Sequence, residues 1–392
     1  MINITDKTKC TGCGACASVC PVNAITMRED EEGCVYPSVA REKCINCGRC
    51  DTVCPMLDSE HGTPPENTVF EPKFYAGQLR DKSLLDKVSS GGAFRAFAMS
   101  VLENGGVVYG AAQKDVDHIY HHRIESIAEL DTIGRSKYLQ STVGECYQKA
   151  KKDLEDGREV LFSGTGCQIA ALNKYLGKTN DKLFTCEVVC HGVPCKNVWR
   201  SYRSETEDLE KSRIKELIFR DKSKGWSRNR YRTTFENGKQ KLEFSAEHPF
   251  HSGYLQGLFY RPSCGNCLFA KLPRAADITL ADYWKYEGDA FSQHRDKGIS
   301  LITVNNKQGS ILLKRSRKYL EWEDTAKTAA LLSCRHLDNC PQHSRLREAF
   351  LKRLSSKGYY AAARKYIDGQ KSGIAVFAEK VLHRVQNCLN TD

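Results

Sequence analysis

Two runs of the chain, CTGCGACASVCP from Cys10 and CINCGRCDTVCP from Cys44, are copies of one pattern, C-x2-C-x2-C-x3-C-P, set 34 residues apart. The short spacings let three thiolates converge on one metal centre from a tight loop. The fourth cysteine of each run is expected to start a helical segment leading away, and so to reach the centre of the other copy. On that reading Cys10, Cys13, Cys16 and Cys54 hold one 4Fe-4S cluster, and Cys44, Cys47, Cys50 and Cys20 hold a second. Gly12, Gly14 and Gly48 let backbone amides approach the sulfurs. Zinc is the competing occupant, since four thiolates hold zinc as well, but its ligands usually come as two separated C-x2-C pairs rather than this triplet. Cys34, in EEGCVYPSV, lies outside both runs and is expected to be a packed free thiol.

The remaining composition narrows the class. Nineteen cysteines would suit a secreted disulfide scaffold, but such scaffolds are short, and nine of the nineteen fall between Cys10 and Cys54, eight of them at ligand-like spacing. The opening MINITDKTKC has no basic stretch followed by an apolar one, and no apolar run is long enough to span a bilayer, so the expected location is cytoplasmic. Residues 1–60 carry a net charge of −3 and leave +14 for the rest of a chain whose total is +11. An acidic electron carrier on a basic body fits anionic cofactors or an acidic partner protein. A merely solvated basic surface explains most of these charges equally well. KRSRK, from Lys314, looks like one face of an exposed helix, and without a recognisable nucleic-acid module no nucleic-acid partner is expected.

At 392 residues the chain is long enough for two or three domains. The cysteine-dense unit is expected at 1–60, and HGTPPENTVFEP, residues 61–72, reads as a linker because its prolines and polar residues sustain neither helix nor strand. Beyond it, β-like segments alternate with helical ones: GGVVYGAA, a polar helical stretch through Leu154, REVLFSG, the helical CQIAALNKYL, then LFTCEVVCHG. ITLADYW and ISLITVNN are two more strands, and from Ile311 the pattern turns mainly helical and basic. The expected architecture is an α+β ferredoxin-like dicluster domain joined to an α/β domain with a mixed sheet at 73–335, followed by a mainly helical segment at 336–392.

Three places in that α/β domain carry glycine where a backbone must approach something, GGVVYG and two loops. VSSGGAF puts Ser89, Ser90, Gly91 and Gly92 before a helix, and LFSGTGCQIAAL puts Gly164, Thr165 and Gly166 between a strand and a helix. Free amides at helix N-termini suit a phosphate or an anionic ring. A plain helix cap and a tight strand-to-helix turn account for the same residues, and local pattern leaves both open. Neither loop is G-x-G-x-x-G, so an ordinary Rossmann dinucleotide site is not indicated.

Taken in order, SSGGAF, GGVVYGA, GRSKYLQS, VLFSGTGCQIAALNKYL, VVCHGVPC, FRDKSKGWS and RPSCGNCLFAKLPRAADITLADYW resemble the coenzyme F420 hydrogenase/dehydrogenase beta-subunit family over about residues 73–350. The resemblance implies a flavin-binding domain that carries FAD and a further 4Fe-4S cluster. Such a protein passes electrons between iron-sulfur carriers, such as ferredoxin or another redox protein, and an organic partner that exchanges hydride. Coenzyme F420 or another conjugated molecule would be that partner, and oligomerisation is left open. Ser89, Ser90, Gly91, Gly92, Gly164, Thr165, Gly166, Lys137 and Tyr138 become candidate flavin contacts. His191 and Lys137 become candidate catalytic groups, His191 as proton donor to substrate or flavin. Each has a plainer alternative: an exposed Lys137, a core-edge Tyr138 and a hydrogen-bonded structural His191. The chain departs from the family pattern at Gly166, where proline is usual, and at Cys195, where serine is usual.

A third 4Fe-4S cluster is expected on Cys167, Cys190, Cys264 and Cys267. Cys264 and Cys267 form a C-x2-C pair, Cys167 opens a helix whose dipole favours a thiolate, and Cys190 follows a strand. The four occupy the cysteine positions of the matching family segments. Cys186 and Cys195 are rival ligands, and a zinc knot on the same thiolates is the rival occupant. A flavin and iron-sulfur oxidoreductase is therefore the leading functional expectation, with a non-catalytic electron-relay subunit as its alternative.

Overall fold

The computed structural model of the protein describes residues 2–57, 70–177 and 180–368. All but the last three residues of the expected linker, 61–72, lie outside the described residues, as does the end of the expected C-terminal segment.

The N-terminal unit is a hairpin, β1 (Ile25–Glu29) antiparallel to β2 (Val35–Val39), beside two short helices, Ala15–Val19 and Arg49–Thr52. Each helix is entered through a left-handed glycine, Gly14 at φ 80° or Gly48 at φ 73°, a conformation that any side chain would strain. The third cysteine of each run, Cys16 or Cys50, sits on its helix. The fourth, Cys20 or Cys54, follows the helix end, which corrects the expectation that it begins one. The following proline is the reason: Pro21 forces Cys20 into extended backbone, at φ −69° and ψ 112°, where a helix stops.

In the body, nine strands form one sheet: β3 (Lys73–Leu79), β4 (Val107–Gln113), β5 (Ile119–Ile124), β6 (Ser141–Thr142), β7 (Val160–Thr165) and β8 (Leu183–Val188), with β12 (Ile278–Asp282), β13 (Ser300–Val304) and β14 (Leu320–Thr325). Their order is β14-β3-β13-β12-β8-β7-β4-β5-β6. The middle of the sheet, β12-β8-β7-β4, is parallel, and β14, β3 and β13 add to it antiparallel. Buried on both faces, the central strands read as continuous apolar runs such as the VLF of β7 and the LITV of β13. Val108, Leu161 and Phe184 face the helices Ala93–Leu102 and Lys307–Arg315. Their neighbours Val107, Val160 and Phe162 face Cys146–Glu155 and Gly166–Leu176 on the other side.

Two strands lie where helix was expected. β5 falls within the stretch read as helical through Leu154, because Ile119 and His121 are buried while Tyr120 is exposed, a period of two that pairs with β4. β14 lies past Ile311, held against β3 through the buried Leu320. The KRSRK run ends the helix Lys307–Arg315 and continues as a single tight turn, Ser316–Lys318.

A second sheet, with β9 (Ile214–Asp221), β10 (Arg230–Phe235) and β11 (Gln240–Phe244) in antiparallel order, packs on an aromatic core that includes Trp199, Phe219, Tyr231 and Phe250. Its Arg220 pairs with Asp282 at the carboxyl end of β12, so this sheet covers the carboxyl ends of the parallel strands. Arg261, 1% exposed, fastens the N-terminal unit to the body: its Nε donates to the Cys10 carbonyl at 2.8 Å and its Nη2 to the Val35 carbonyl at 2.7 Å. Among the described residues no helix is long and apolar enough to cross a membrane.

Candidate functional site

The crossed pairing of the cysteine runs is present in space. Cys10, Cys13, Cys16 and Cys54 face one another closely enough for a negative charge on one to oppose ionisation of another. Cys20, Cys44, Cys47 and Cys50 line one small hollow together with Gly48. The third set also converges: Cys190 and Cys264 each feel Cys167 and Cys267. Of the rivals, Cys186 is buried inside β8 and Cys195 lies beside Cys34, with their Sγ atoms 3.5 Å apart. One further thiol stands near the third set, because Cys340 is felt by Cys267 and donates to the Gly265 carbonyl at 3.4 Å.

These nests suit iron-bound thiolates. Backbone N–H groups already point at the sulfurs: Gly12 to Cys10 at 3.4 Å, Ile2 to Cys50 at 3.3 Å, Ala24 to Cys20 at 3.2 Å and Val193 to Cys264 at 3.4 Å. Donors of this kind stabilise sulfur that carries negative charge. Burial drives the free thiols of Cys13 and Cys190 up to about 12, so a cation is needed to hold them as thiolates. The first and third nests adjoin, since Cys13 feels Cys167.

Above the sheet lies a cavity of about 840 Å³. It opens at the carboxyl ends of the parallel strands, with Ala111, Gly164, Val188 and Asp282 on its floor, where open α/β sheets take their ligands. Cys167 and Cys190 form part of its wall, so it adjoins the third thiol nest. Ser89, Ser90, Gly92, Lys137, Tyr138, Gly164, Thr165 and His191, eight of the ten expected cofactor or catalytic positions, line it as well. Gly91 and Gly166 do not. A side chain on Gly91 would meet the Gly77 carbonyl at 2.3 Å, and one on Gly166 would meet Glu187 and Phe269, so both glycines serve close packing behind the wall.

Five of the six charged residues on the cavity wall are cations, Arg95, Arg135, Lys137, Arg220 and Arg335, against the single acid Asp282. Lys137 is half-buried rather than exposed: its Nζ donates to the Ala111 carbonyl at 2.7 Å and to the Gly134 carbonyl. Burial, assisted by Arg135, lowers it to about 7. His191 is brought down to about 4 by burial and then by His336, whose ring stands edge-on 4.3 Å away. At neutral pH its imidazole is uncharged and offers one N–H. Tyr138 sits in an aromatic cluster, its ring 5.0 Å from His251 and 5.6 Å from Phe219.

Several wall residues carry no assignment from the sequence. Trp284 stacks on Trp226 with ring centres 4.4 Å apart, Arg220 lies over Trp284, and Asp282 accepts from the Trp226 indole at 3.3 Å. All four lie in FRDKSKGWS and ADITLADYW, segments that carried the family resemblance, so the signal was there without a role attached. The Nε and Nη2 atoms of Arg220 and the Ser245 hydroxyl are buried without a hydrogen-bond partner among the described residues. Both residues line the cavity, which is therefore built for an anionic ligand with further acceptor atoms.

Residues 157–328 match the family model for the C terminus of the beta subunit of coenzyme F420 hydrogenase/dehydrogenase, and residues 9–57 match the 4Fe-4S dicluster domain. No curated protein matches. Among solved structures, a chain of the xenon-derivatised F420-reducing [NiFe] hydrogenase complex from Methanosarcina barkeri is similar at 16% identity and a TM-score of 0.46, covering 72% of this chain and 92% of that one. Residues 157–328 thus match the C-terminal part of the coenzyme F420 hydrogenase/dehydrogenase beta subunit, and residues 9–57 match a 4Fe-4S dicluster domain.

Proposed function

We propose that this iron-sulfur protein, related to F420 hydrogenase beta subunits, holds FAD in the cavity and passes electrons between three 4Fe-4S clusters and an organic partner that exchanges hydride, coenzyme F420 or another conjugated molecule. The observation that carries this reading is the shared wall. Cys167 and Cys190 belong both to the third thiol nest and to the lining of a cationic cavity, and that nest adjoins Cys13 of the first. A flavin bound there supplies conversion between two-electron hydride exchange and one-electron transfer. The chain's own part is to bind and orient. Ser89, Ser90 and Gly92, at the N-terminus of the helix Ala93–Leu102, present free amides to a phosphate, and Lys137 and Arg220 balance its charge. His191 offers its N–H to a carbonyl or ring nitrogen at the cluster side of the cavity.

The test is to reconstitute the full chain anaerobically and denature it. Release of about one FAD and of about twelve irons per chain is expected, at four irons per cubane. No flavin retained after incubation with FAD removes the cavity assignment, and iron that stays near eight removes the third cluster. The relay reading has one observation in its favour: Val188, Leu255, Trp284 and Leu332 on the cavity lining are exposed, an apolar rim on which a catalytic partner could dock. A purified chain that turns over a soluble hydride carrier by itself excludes that reading.

A further inference from the structure

Cys34 and Cys195, two cysteines that neither the dicluster runs nor the third nest use, meet at the junction between the N-terminal unit and the body. Cys34 lies in the turn of the β1–β2 hairpin and Cys195 immediately precedes the helix Lys196–Glu210. Both are buried, and their Sγ atoms are 3.5 Å apart. The Glu32 carboxylate, from the same hairpin turn, comes within 3.3 Å of the Cys195 sulfur, and one donor atom from each of the three residues lies within 4.8 Å of the others.

We infer that Glu32, Cys34 and Cys195 form a mononuclear site for a thiophilic divalent cation, zinc above all, which fastens the dicluster unit to the body. A tetrahedral zinc ion, with bonds of about 2.3 Å to sulfur and about 2.0 Å to oxygen, spaces its ligands about 3.5–3.8 Å apart. The two observed separations approach those edges with little movement. The surroundings fit as well. Arg347 donates to the Cys195 sulfur at 3.5 Å and to both Glu32 oxygens, the outer-shell arrangement that orients metal ligands. A carboxylate has lone pairs for a guanidinium and a cation together. Two thiolates, one carboxylate, one divalent ion and Arg347 sum to zero charge, which removes the main penalty against burying them.

Binding releases the two thiol protons to solvent and changes no oxidation state. The Asp30 side chain prepares the turn beforehand, accepting from the Glu32 amide at 3.1 Å and the Cys34 amide at 2.9 Å. Three protein ligands leave the fourth position for a water, which the part-exposed Glu32 side admits. The ligands come from both sides of the junction, so the ion joins the two units.

The experiment uses the full chain, reconstituted with iron and sulfide, exposed to zinc and desalted under anaerobic conditions. About one zinc per chain should remain beside the cluster iron, and zinc X-ray absorption should show two sulfurs with oxygen neighbours. C34S and C195S should each lower retained zinc at least tenfold with iron unchanged, and E32Q, which replaces a carboxylate ligand by a neutral amide, should also weaken zinc at least about tenfold. Should C195S lose iron through misfolding, the wild-type absorption spectrum and E32Q still decide. Zinc bound by four sulfurs, zinc that C195S retains, no retained zinc, or a Cys34–Cys195 disulfide in the peptide map of the anaerobically purified chain would each overturn the site.

Discussion

At the residue scale the informative group is Lys137. Its sequence context allowed an exposed lysine, and nothing local showed that Ala111 and Gly134 would bury it. Burial brings it to about 7, so in the flavin-free chain it is half protonated near neutrality. A bound anion favours the ammonium and raises that value, so the protonated lysine is the form that binds. Flavin affinity should therefore be full below about pH 7 and fall above it, by at most about tenfold per pH unit for one proton. Fluorescence titration of the flavin-free chain from pH 6 to 9 measures this. K137M should bind more weakly at pH 6 and lose most of the slope. Lys222 is also lowered to about 7 by burial, then by Arg220, but its Nζ lies behind the Ser90 carbonyl and off the cavity wall. K222M is the control and should keep the slope. A K137M profile as steep as wild type would remove Lys137 from anion binding.

At the element scale the two glycine loops divide by position. SSGG was read as an anion cradle or a helix cap, and it contains both a cavity residue and a packing residue. Gly92 enters the helix Ala93–Leu102 at φ 84° and lines the cavity. Gly91 lets that loop lie against β3 and the start of β13, where a side chain would reach the Gly77 carbonyl at 2.3 Å and the Ser300 amide at 2.6 Å. G91A should destabilise the chain by about 1–3 kcal/mol, the usual range for overpacking, and lower its melting temperature before flavin binding is affected. Thermal denaturation measures the first effect and flavin content of the folded fraction the second. An unchanged melting temperature would mean that the two strands are not packed as described.

The same scale shows what sequence pattern can and cannot resolve. The central strands, the helix starting at Gly166 and the duplicated cysteine runs were legible because each is a local signal: an apolar run, a capping residue, a fixed spacing. β14 and β5 were not, since a strand at or next to the edge of a sheet, half-exposed along its length, carries a weak period that a polar helix also satisfies. Arg220 and Trp284 were legible only as members of quoted segments. Their pairing depends on a second sheet folding over the first, a contact between positions 64 residues apart.

At the scale of the whole molecule, the N-terminal unit is useful to the body only while it stays docked, and Arg261 bears much of that burden. It was invisible as a functional residue because its partners, the carbonyls of Cys10 and Val35, lie more than two hundred positions away. Its guanidinium also lies 4.4 Å from the centre of the Tyr36 ring, so charge, hydrogen bonds and aromatic contact all cross the junction at one side chain. R261M keeps comparable bulk but leaves two carbonyls without their donor. Each loss costs about 1–3 kcal/mol where water cannot replace the bond, and every 1.4 kcal/mol shifts the docked population about tenfold. Iron bound by the dicluster unit should be unchanged, because its eight cysteines all lie between Cys10 and Cys54. Electron transfer from that unit to the body should slow, since the adjacency of Cys13 and Cys167 is lost in the undocked form. Rapid-mixing reduction followed at cluster and flavin wavelengths separates the two effects. A full iron content with a slowed second phase is the expected result. An unchanged second phase would show that docking does not depend on Arg261, and the junction would then have to be held by other contacts, among them the pairs of Glu29 with Lys196 and Arg200 and of Glu32 with Arg347.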